Sequence, residues 1–499
     1  MGNGREQWTS RWGLILSALG MAIGTGNIWR FPRVAAANGG GSFMIAWIVA
    51  LLLWSIPVLM MEGLLGRETR MGCIGAFKKW MGEKYAWLGA LLAWISLAIA
   101  FYYAVVMGWC LRYFVYAIEG KIGGAEMNVK AAEAMWKAFT SNPSQTILFH
   151  FLAMLIATII IYRGISKGTE LANKIIIPML FIVLAILAVR ALTLPGAGEG
   201  VKYLFSPNLK RLLTAKTWLE GFSQSAWSTG AGWGLFLTYM VYTSKKEDVV
   251  LNSFMTGFGN NSASILAGFA VIGTVFALSP SIEAAHKAVG SGNTGLAFIY
   301  LTALFSKMPA GVVFAALFFL ALTIAALSSE LSMLELGIRL FRDAGWSRKK
   351  AALWVAIICF ILGLPSSANI TILNNQDWVW GVGLMISGLL CAIAIFKSGV
   401  AKAREIMNKN SDMKVGVWWD ILVYLIPVWF VLLIGWWIYQ SITWYPKDWW
   451  NPNPFTHTYS VGTILVQWAI ASIVIYLLND FFAKTARYEH TEIGDTYEK

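Results

Sequence analysis

Two short stretches decide the fold of this chain: Gly20-Met21-Ala22-Ile23-Gly24-Thr25-Gly26-Asn27 and Ser228-Thr229-Gly230-Ala231-Gly232-Trp233-Gly234. Each puts three glycines near the middle of a long apolar run, where a glycine costs about 1 kcal/mol of helix relative to alanine. Both runs are therefore expected to break as helices. In hydrocarbon, each backbone group freed by a break costs several kcal/mol unless protein, water or a ligand satisfies it. Close helix packing through small residues is the other use of glycine in a membrane. Recurrence of the pattern in two corresponding places favours breaks.

The composition around them makes the hydrocarbon setting explicit. Of 499 residues, 58% are hydrophobic and 13% charged, against roughly 45–50% and about 25% in soluble domains. With about 20 apolar residues per span, the roughly 290 hydrophobic residues suffice for a dozen spans. A soluble enzyme, a disordered chain and a disulfide-stapled secreted domain are excluded. The 28 Phe, 26 Trp and 17 Tyr match the rings that gather at membrane interfaces. A β-barrel would alternate in segments of about ten residues, and these runs are far longer. The expected fold is an all-α polytopic membrane protein.

Twelve apolar segments cover 12–35, 41–66, 87–118, 146–162, 172–194, 218–243, 249–279, 308–342, 350–364, 374–397, 416–440 and 459–482. An even number puts both termini on one side. Of the 39 Lys and Arg, 25 fall on that side and 14 on the other, so the positive-inside rule predicts cytoplasmic termini and a plasma-membrane protein. The net charge of +13 is scattered over short loops, which argues against nucleic acid as a partner and leaves the lipid bilayer. Cys73, Cys110, Cys359 and Cys391 lie in or beside apolar segments without metal-like spacing and read as small apolar residues. The first twelve residues are polar and no small-residue cleavage site follows, so no removable signal peptide is expected. The tail from Ala483 to Lys499 reads as a disordered cytoplasmic end.

Two connections, 195–217 and 280–307, are long enough to carry structure, and the second ends in helix-like text from Leu296 to Phe305. Either could serve as a lid. Gly290-Ser291-Gly292-Asn293-Thr294-Gly295 matches a dinucleotide-binding pattern by letter, but no strand precedes it and it reads as loop. No phosphate-binding loop, zinc-protease motif or nucleophile elbow is present, so the protein is not expected to be an enzyme.

Segments one and six each open a group of five, the signature of an inverted five-helix repeat with binding at the paired interruptions. Freed carbonyls offer hard oxygen ligands to a small cation, and half-helix N-termini carry partial positive charge suited to a carboxylate. Neither broken stretch contains a carboxylate side chain. A neutral centre of this kind suits a zwitterion, balanced by sodium and helix ends, better than a cationic amine.

Gly24-Thr25-Gly26-Asn27-Ile28-Trp29-Arg30-Phe31-Pro32 followed by Asn38-Gly39-Gly40-Gly41 resembles the first helix of the neurotransmitter:sodium symporter family. The resemblance extends through Glu62, Gly66-Arg67, Tyr102-Tyr103, Arg163 to Gly168, the broken sixth segment and Ser328-Ser329. It implies twelve transmembrane helices in a five-plus-five inverted repeat with helices 1 and 6 broken, and sodium-coupled uptake by alternating access. The corresponding division is an amino-terminal segment 1–11, repeats 12–194 and 218–397, helices 11 and 12 in 416–482, and a tail 483–499.

Carried over by motif, one sodium site uses Ala22, Asn27, Ser228 and Asn260 with the substrate carboxylate. The other uses carbonyls of Gly20, Ile23 and Ala325 with the hydroxyls of Ser328 and Ser329; read alone, those two serines would be helix-to-helix hydrogen bonders. The substrate carboxylate is expected at Tyr103 and the amides near Gly24 and Gly26, and its amino group at carbonyls around Ala22, Trp227 and Ser228. Ile99, Tyr103, Trp227, Gly230, Trp233, Ser329 and Met333 would line the side-chain pocket. Family members that carry amines have Asp where this chain has Gly24, so a neutral amino acid or related zwitterion is the expected cargo, with an osmolyte or amine such as taurine or GABA as the alternative.

The resemblance also implies an outer gate of Arg30 and Asp377, and an inner one of Arg5 and Asp343 with Trp8 and Tyr242. A solvated loop charge is the other reading of Arg5 and Asp343. Gly168 and Pro178 match a family motif at which helix 5 unwinds; a simple kink is the alternative. Members that require chloride resemble this chain at Gln224, Ser228 and Ser264, whereas Trp47 stands where they have tyrosine and offers a single N–H, so chloride stays an open ligand. Met21 and Glu330 depart from the family pattern as well. A channel or receptor on the same fold is the competing class; a channel would line a continuous polar path, and here polar residues gather near one depth.

Overall fold

The computed structural model describes residues 6–487. Every regular element among them is helical: α1 (Arg11–Ala22), α2 (Gly26–Ala37), α3 (Gly41–Thr69), α4 (Glu83–Ile118), α5 (Pro143–Ile161), α6 (Ile165–Leu192), α7 (Ala215–Ser228), α8 (Leu235–Met240), α9 (Val249–Leu278), α10 (Gly311–Asp343), α11 (Arg348–Ala368), α12 (Ile370–Ser398), α13 (Val417–Trp444), α14 (Val461–Leu477) and α15 (Asn479–Thr485), joined by shorter loop helices. Nine of the described helices are long and apolar enough to cross a membrane, or eleven spans if the bent pairs α1–α2 and α14–α15 each count as one. Eleven expected segments fall on these spans. The sixth corresponds to α7 and α8, two short helices joined by a glycine-rich bend.

Helices α3, α4, α10 and α12 form the centre, and α13 lies at the edge, with only 17% of its most apolar window buried. Its outer face exposes Ile421, Val428, Val431 and Leu432, and α14 exposes Leu465, Ile470 and Ile473. A soluble protein rarely leaves so continuous an apolar surface in water; in a bilayer it is the solvent-matched face. The four cysteines are buried and free.

Both expected breaks are present. Helix α1 ends at Ala22, Ile23 is extended (φ −83°, ψ 101°), and α2 resumes with a wide π-turn, bent by 53° from α1. Between α7 and α8, Gly230, Gly232 and Gly234 adopt φ of 70°, 89° and 71°, a left-handed region that residues with a Cβ resist. Glu62 of α3 satisfies the backbone opened there: its Oε1 accepts from Gly232 N at 2.5 Å and its Oε2 from Leu237 N at 3.3 Å. A carboxylate at the start of α8 also faces the positive end of that helix.

The connections are structured as expected from their length. Residues Ala197–Phe205 form a helix whose Tyr203 hydroxyl donates to Ala36 O at 2.5 Å. In the other connection Ile282–Val289 is helical, and a bend at Gly290 and Ser291 leads into the short helix Gly292–Thr294 and the helical stretch Gly295–Phe305, with no strand before it. Helix α6 runs unbroken through Pro178, after a π-turn at Ile165–Glu170. Both described ends lie at one end of the bundle: Trp8 N donates to Tyr242 O and Arg487 N to Asp343 O.

Candidate functional site

The two breaks face each other and form the floor of a cavity of about 1090 Å³ on the side away from Trp8 and Arg487. Met21, Ala22, Gly24, Gly26, Tyr103, Trp227, Ser228, Gly230, Trp233, Ser329 and Met333 all line it. Of the expected substrate contacts only Ile99 does not; it is fully buried on α4, one turn before Tyr103, and Tyr103, Val106 and Met333 make the wall instead. The Tyr103 hydroxyl accepts from Thr25 N at 3.1 Å and lies 3.2 Å from Thr25 Oγ1. A Cβ at position 24 would stand 2.7 Å from Tyr103 Oη and 2.8 Å from Ser329 Oγ, whereas one at Gly26 would meet nothing within 4 Å. Glycine at 24 is thus what allows these two hydroxyls to converge on the break.

Trp227 meets Trp233 edge-on, with ring centroids 5.9 Å apart, and carries the Arg30 guanidinium over its face at 5.1 Å. A Cβ on Gly381 would come within 2.1 Å of the Trp227 ring, so α12 is shaped around this side chain.

Two clusters of oxygen donors flank the breaks. In the first, Asn27 Oδ1 accepts from Gly24 N at 2.9 Å and Asn27 Nδ2 donates to Ser264 Oγ at 2.8 Å. One end of the buried Asn260 carboxamide is 2.7 Å from Asn27 Nδ2, 2.7 Å from the Ser228 carbonyl oxygen and 3.2 Å from that of Ala22. An amide end crowded by carbonyl oxygens is stable either with its NH₂ turned to them or with a cation among them, and the donor set suits a hard cation. In the second cluster, Ser328 Oγ donates to Ala325 O at 3.0 Å and Ile23 O at 3.3 Å, and Ser329 Oγ lies 3.4 Å from Gly20 O and from Ile23 O. All five expected residues come together. Among the described residues no group of His, Cys, Asp and Glu has the makings of a transition-metal site.

The residues considered for chloride lie beside the first cluster. Trp47 Nε1 and both amide atoms of Gln224 are buried without a hydrogen-bond partner among the described residues, and so is the Ser223 hydroxyl. Ser264 and Ser228 are already engaged with Asn27 and Asn260. Trp47 also packs against Phe31, with ring centroids 4.4 Å apart and the planes tilted by 43°.

Arg30 and Asp377 face the same cavity but form no ion pair: Asp377 Oδ1 accepts from the Tyr102 hydroxyl at 3.0 Å, and Arg30 rests on Trp227. At the other end the route is sealed. Trp8 Nε1 donates to Tyr239 O at 3.0 Å and its ring meets Tyr239 and Tyr242 edge-on. Tyr242 Oη donates to Glu335 Oε1 at 2.7 Å, and Arg348 holds both Glu335 oxygens at 2.8 and 2.5 Å. Arg5 lies outside the described residues. Among the described residues, Asp343 pairs with Arg339 one turn earlier on α10 and accepts from Gly72 N at 2.7 Å.

With this geometry in place, the pattern of the sodium:neurotransmitter symporter family matches residues 5–148 and 141–484. The chain belongs to that family. The symporter is 36% identical over 430 residues, 84% of this chain and 87% of the other, to an uncharacterised sodium-dependent transporter of Methanocaldococcus jannaschii. A similar transporter of Bacillus subtilis is 28% identical over 85% of this chain and 95% of its own. The crystal structure of MhsT in complex with L-phenylalanine matches with a TM-score of 0.76 at 30% identity, covering 87% of this chain and 99% of that one. The protein is a sodium-dependent membrane symporter, not an enzyme.

Several contributors were not anticipated. Thr25 and Val106 line the cavity of the symporter, and Glu335 pairs with Arg348 at the closed end, near Trp8 and Tyr242. A signal existed for Glu335, because a carboxylate inside an apolar span calls for a partner. Glu330 stays unexplained: it is fully buried, its oxygens have no partner among the described residues, and it does not line the cavity.

Proposed function

We propose that this symporter couples sodium entry to uptake of a neutral amino acid or related zwitterion by alternating access. The observation that carries the reading is the cavity floor: backbone from two broken helices, two tryptophans and hydroxyls, with no carboxylate at Gly24 to receive an amine. The proposed architecture is twelve spans, with inverted repeats 12–194 and 218–397 followed by 416–482, and both termini in the cytoplasm of a plasma-membrane protein.

In this reading the substrate carboxylate meets Tyr103 Oη and the amides near Gly24 and Gly26, and its amino group meets carbonyls of Ala22, Trp227 and Ser228. Trp227, Gly230, Trp233, Ser329 and Met333 surround its side chain. One sodium ion is held by Ala22, Asn27, Ser228 and Asn260 with the substrate carboxylate; a second by Gly20, Ile23, Ala325, Ser328 and Ser329. Uncharged oxygen donors bind a hard monovalent cation without trapping it, as turnover requires. The L-phenylalanine in MhsT supports an amino-acid cargo. Closure over the substrate brings Arg30 and Asp377 together while the Trp8, Tyr242, Glu335 and Arg348 contacts part.

Chloride coupling forms part of the proposal, because the buried, unpartnered N–H groups of Trp47 and Gln224 are donors that an anion accepts from. Reconstitution into proteoliposomes tests the whole: saturable, sodium-dependent uptake of a radiolabelled neutral amino acid is expected, preceded by a thermal-shift screen of amino acids, taurine, betaine and GABA. Uptake indifferent to sodium overturns the coupling.

A further inference from the structure

Helix α6 presents a polar face to α1 that none of these assignments uses. Asn173 of α6 is fully buried, and neither its Oδ1 nor its Nδ2 has a hydrogen-bond partner among the described residues. The hydroxyl of Thr169, one turn earlier on α6, is likewise buried and unpartnered, as is that of Ser17 on α1. Buried carboxamides left with no partner at either end are rare enough in native proteins to call for a cause.

Its position supplies one. A Cβ built on Gly20 would stand 2.5 Å from Asn173 Oδ1, 3.0 Å from Asn173 Cγ and 3.2 Å from Ser328 Cβ. The carboxamide therefore enters the same small volume as Gly20 and Ser328, and it can do so only because residue 20 has no side chain. Gly20 contributes its carbonyl, and Ser328 its hydroxyl, to the second cluster of oxygen donors. An amide oxygen is a hard donor of the same class. That cluster provides five oxygens, and a further oxygen donor fits the chemistry of a hard cation.

We propose that Asn173 is a further ligand of the sodium ion at the Gly20, Ile23, Ala325, Ser328 and Ser329 cluster, contributed by α6. The inference rests on the reading of that cluster as a sodium site. It makes the ion a link among three helices, α1, α6 and α10. The inner ends of α1 and α6 are otherwise tied by Glu170, which accepts from Thr9 N at 2.8 Å and Thr9 Oγ1 at 2.5 Å and pairs with Lys174 at 2.7 Å.

The test is binding of radioactive sodium alone to the purified full-length protein, with potassium holding the ionic strength constant. In the proposed scheme the other site is completed by the substrate carboxylate, so sodium alone reports chiefly on this one. Asn173→Leu, which keeps the size and removes the oxygen, should raise the half-saturating sodium concentration about tenfold or more. Asn173→Asp should lower it or leave it near the parent value while changing the sodium-to-lithium preference, which a purely structural asparagine would not alter. If Asn173→Leu does not fold, Asn173→Asp decides through that preference. Parent-like affinity in Asn173→Leu, or a parent-like preference in Asn173→Asp, overturns the inference; if Ser328→Ala still weakens binding, the sodium-site reading itself survives. A parent protein that binds no sodium, or a Ser328→Ala variant that binds it normally, removes both.

Discussion

On one side of the helix breaks Arg30 and Asp377 face an open cavity without pairing to each other, whereas on the other Tyr242, Glu335 and Arg348 are buried and bonded in a chain under the Trp8 ring. The contrast follows from solvation. A charge beside an open cavity can do without a partner, but a buried one needs a partner with good geometry. The open half therefore holds its charges in reserve, and the sealed half spends its own on closure. Exchange of these two conditions is what the proposed alternating access requires.

The largest way to break this contrast is Arg348→Ala, which leaves Glu335 buried with Tyr242 as its remaining partner. Loss of one member of a buried pair costs about 3–5 kcal/mol, so a lower unfolding temperature in detergent is expected. A cysteine placed at Ser17 in that background should also react faster with a thiol reagent; unchanged reactivity would mean that the pair does not hold the closed end shut. Next comes Gly24→Ala on the cavity floor. Its Cβ would crowd Tyr103 Oη at 2.7 Å and Ser329 Oγ at 2.8 Å, and overpacking of about 1–3 kcal/mol corresponds to roughly 5- to 150-fold weaker substrate binding, measurable by calorimetry. Gly26→Ala, with open space at its Cβ, should change affinity far less, which sharpens the assignment.

A smaller effect is expected for the cation clusters: Asn27→Ala should raise the half-saturating sodium concentration for uptake about tenfold, and an unaltered requirement would remove that residue from the site. The smallest concerns chloride. Ser264→Glu would place a fixed negative charge beside Asn27 and the Trp47–Gln224 region, so the ratio of uptake in chloride to uptake in gluconate should move towards one. A parent protein whose ratio is already one has no chloride coupling to lose.

The breaks were legible because they are local: three glycines in an apolar run announce a weak helix wherever the run ends up. Gly24 and Gly230, at those breaks, line the cavity, as do the family-matched Tyr103 and Ser329. Ile99 was not legible, because one helical turn separates a wall residue from a core residue and periodicity on a helix buried all round does not tell them apart. Trp8 and Tyr242, singled out by resemblance, lie at the closed end, whereas Glu335 and Arg348 were not singled out because only packing brings them together across the turn that joins α10 to α11. Glu62 was marked only by the family resemblance, and its service to Gly232 and Leu237 needed the bend itself.

Composition alone settled the solvent, since a chain with 58% hydrophobic and 13% charged residues has no soluble arrangement for its long apolar runs. Glycine spacing settled where the helices fail. Which buried polar group meets which partner depended on the packing of helices far apart in sequence, as at Asn173 beside Gly20 and Ser328. The reason is physical: helix propensity and transfer free energy belong to residues one at a time, whereas a hydrogen bond or a coordination shell exists only once distant segments share a volume.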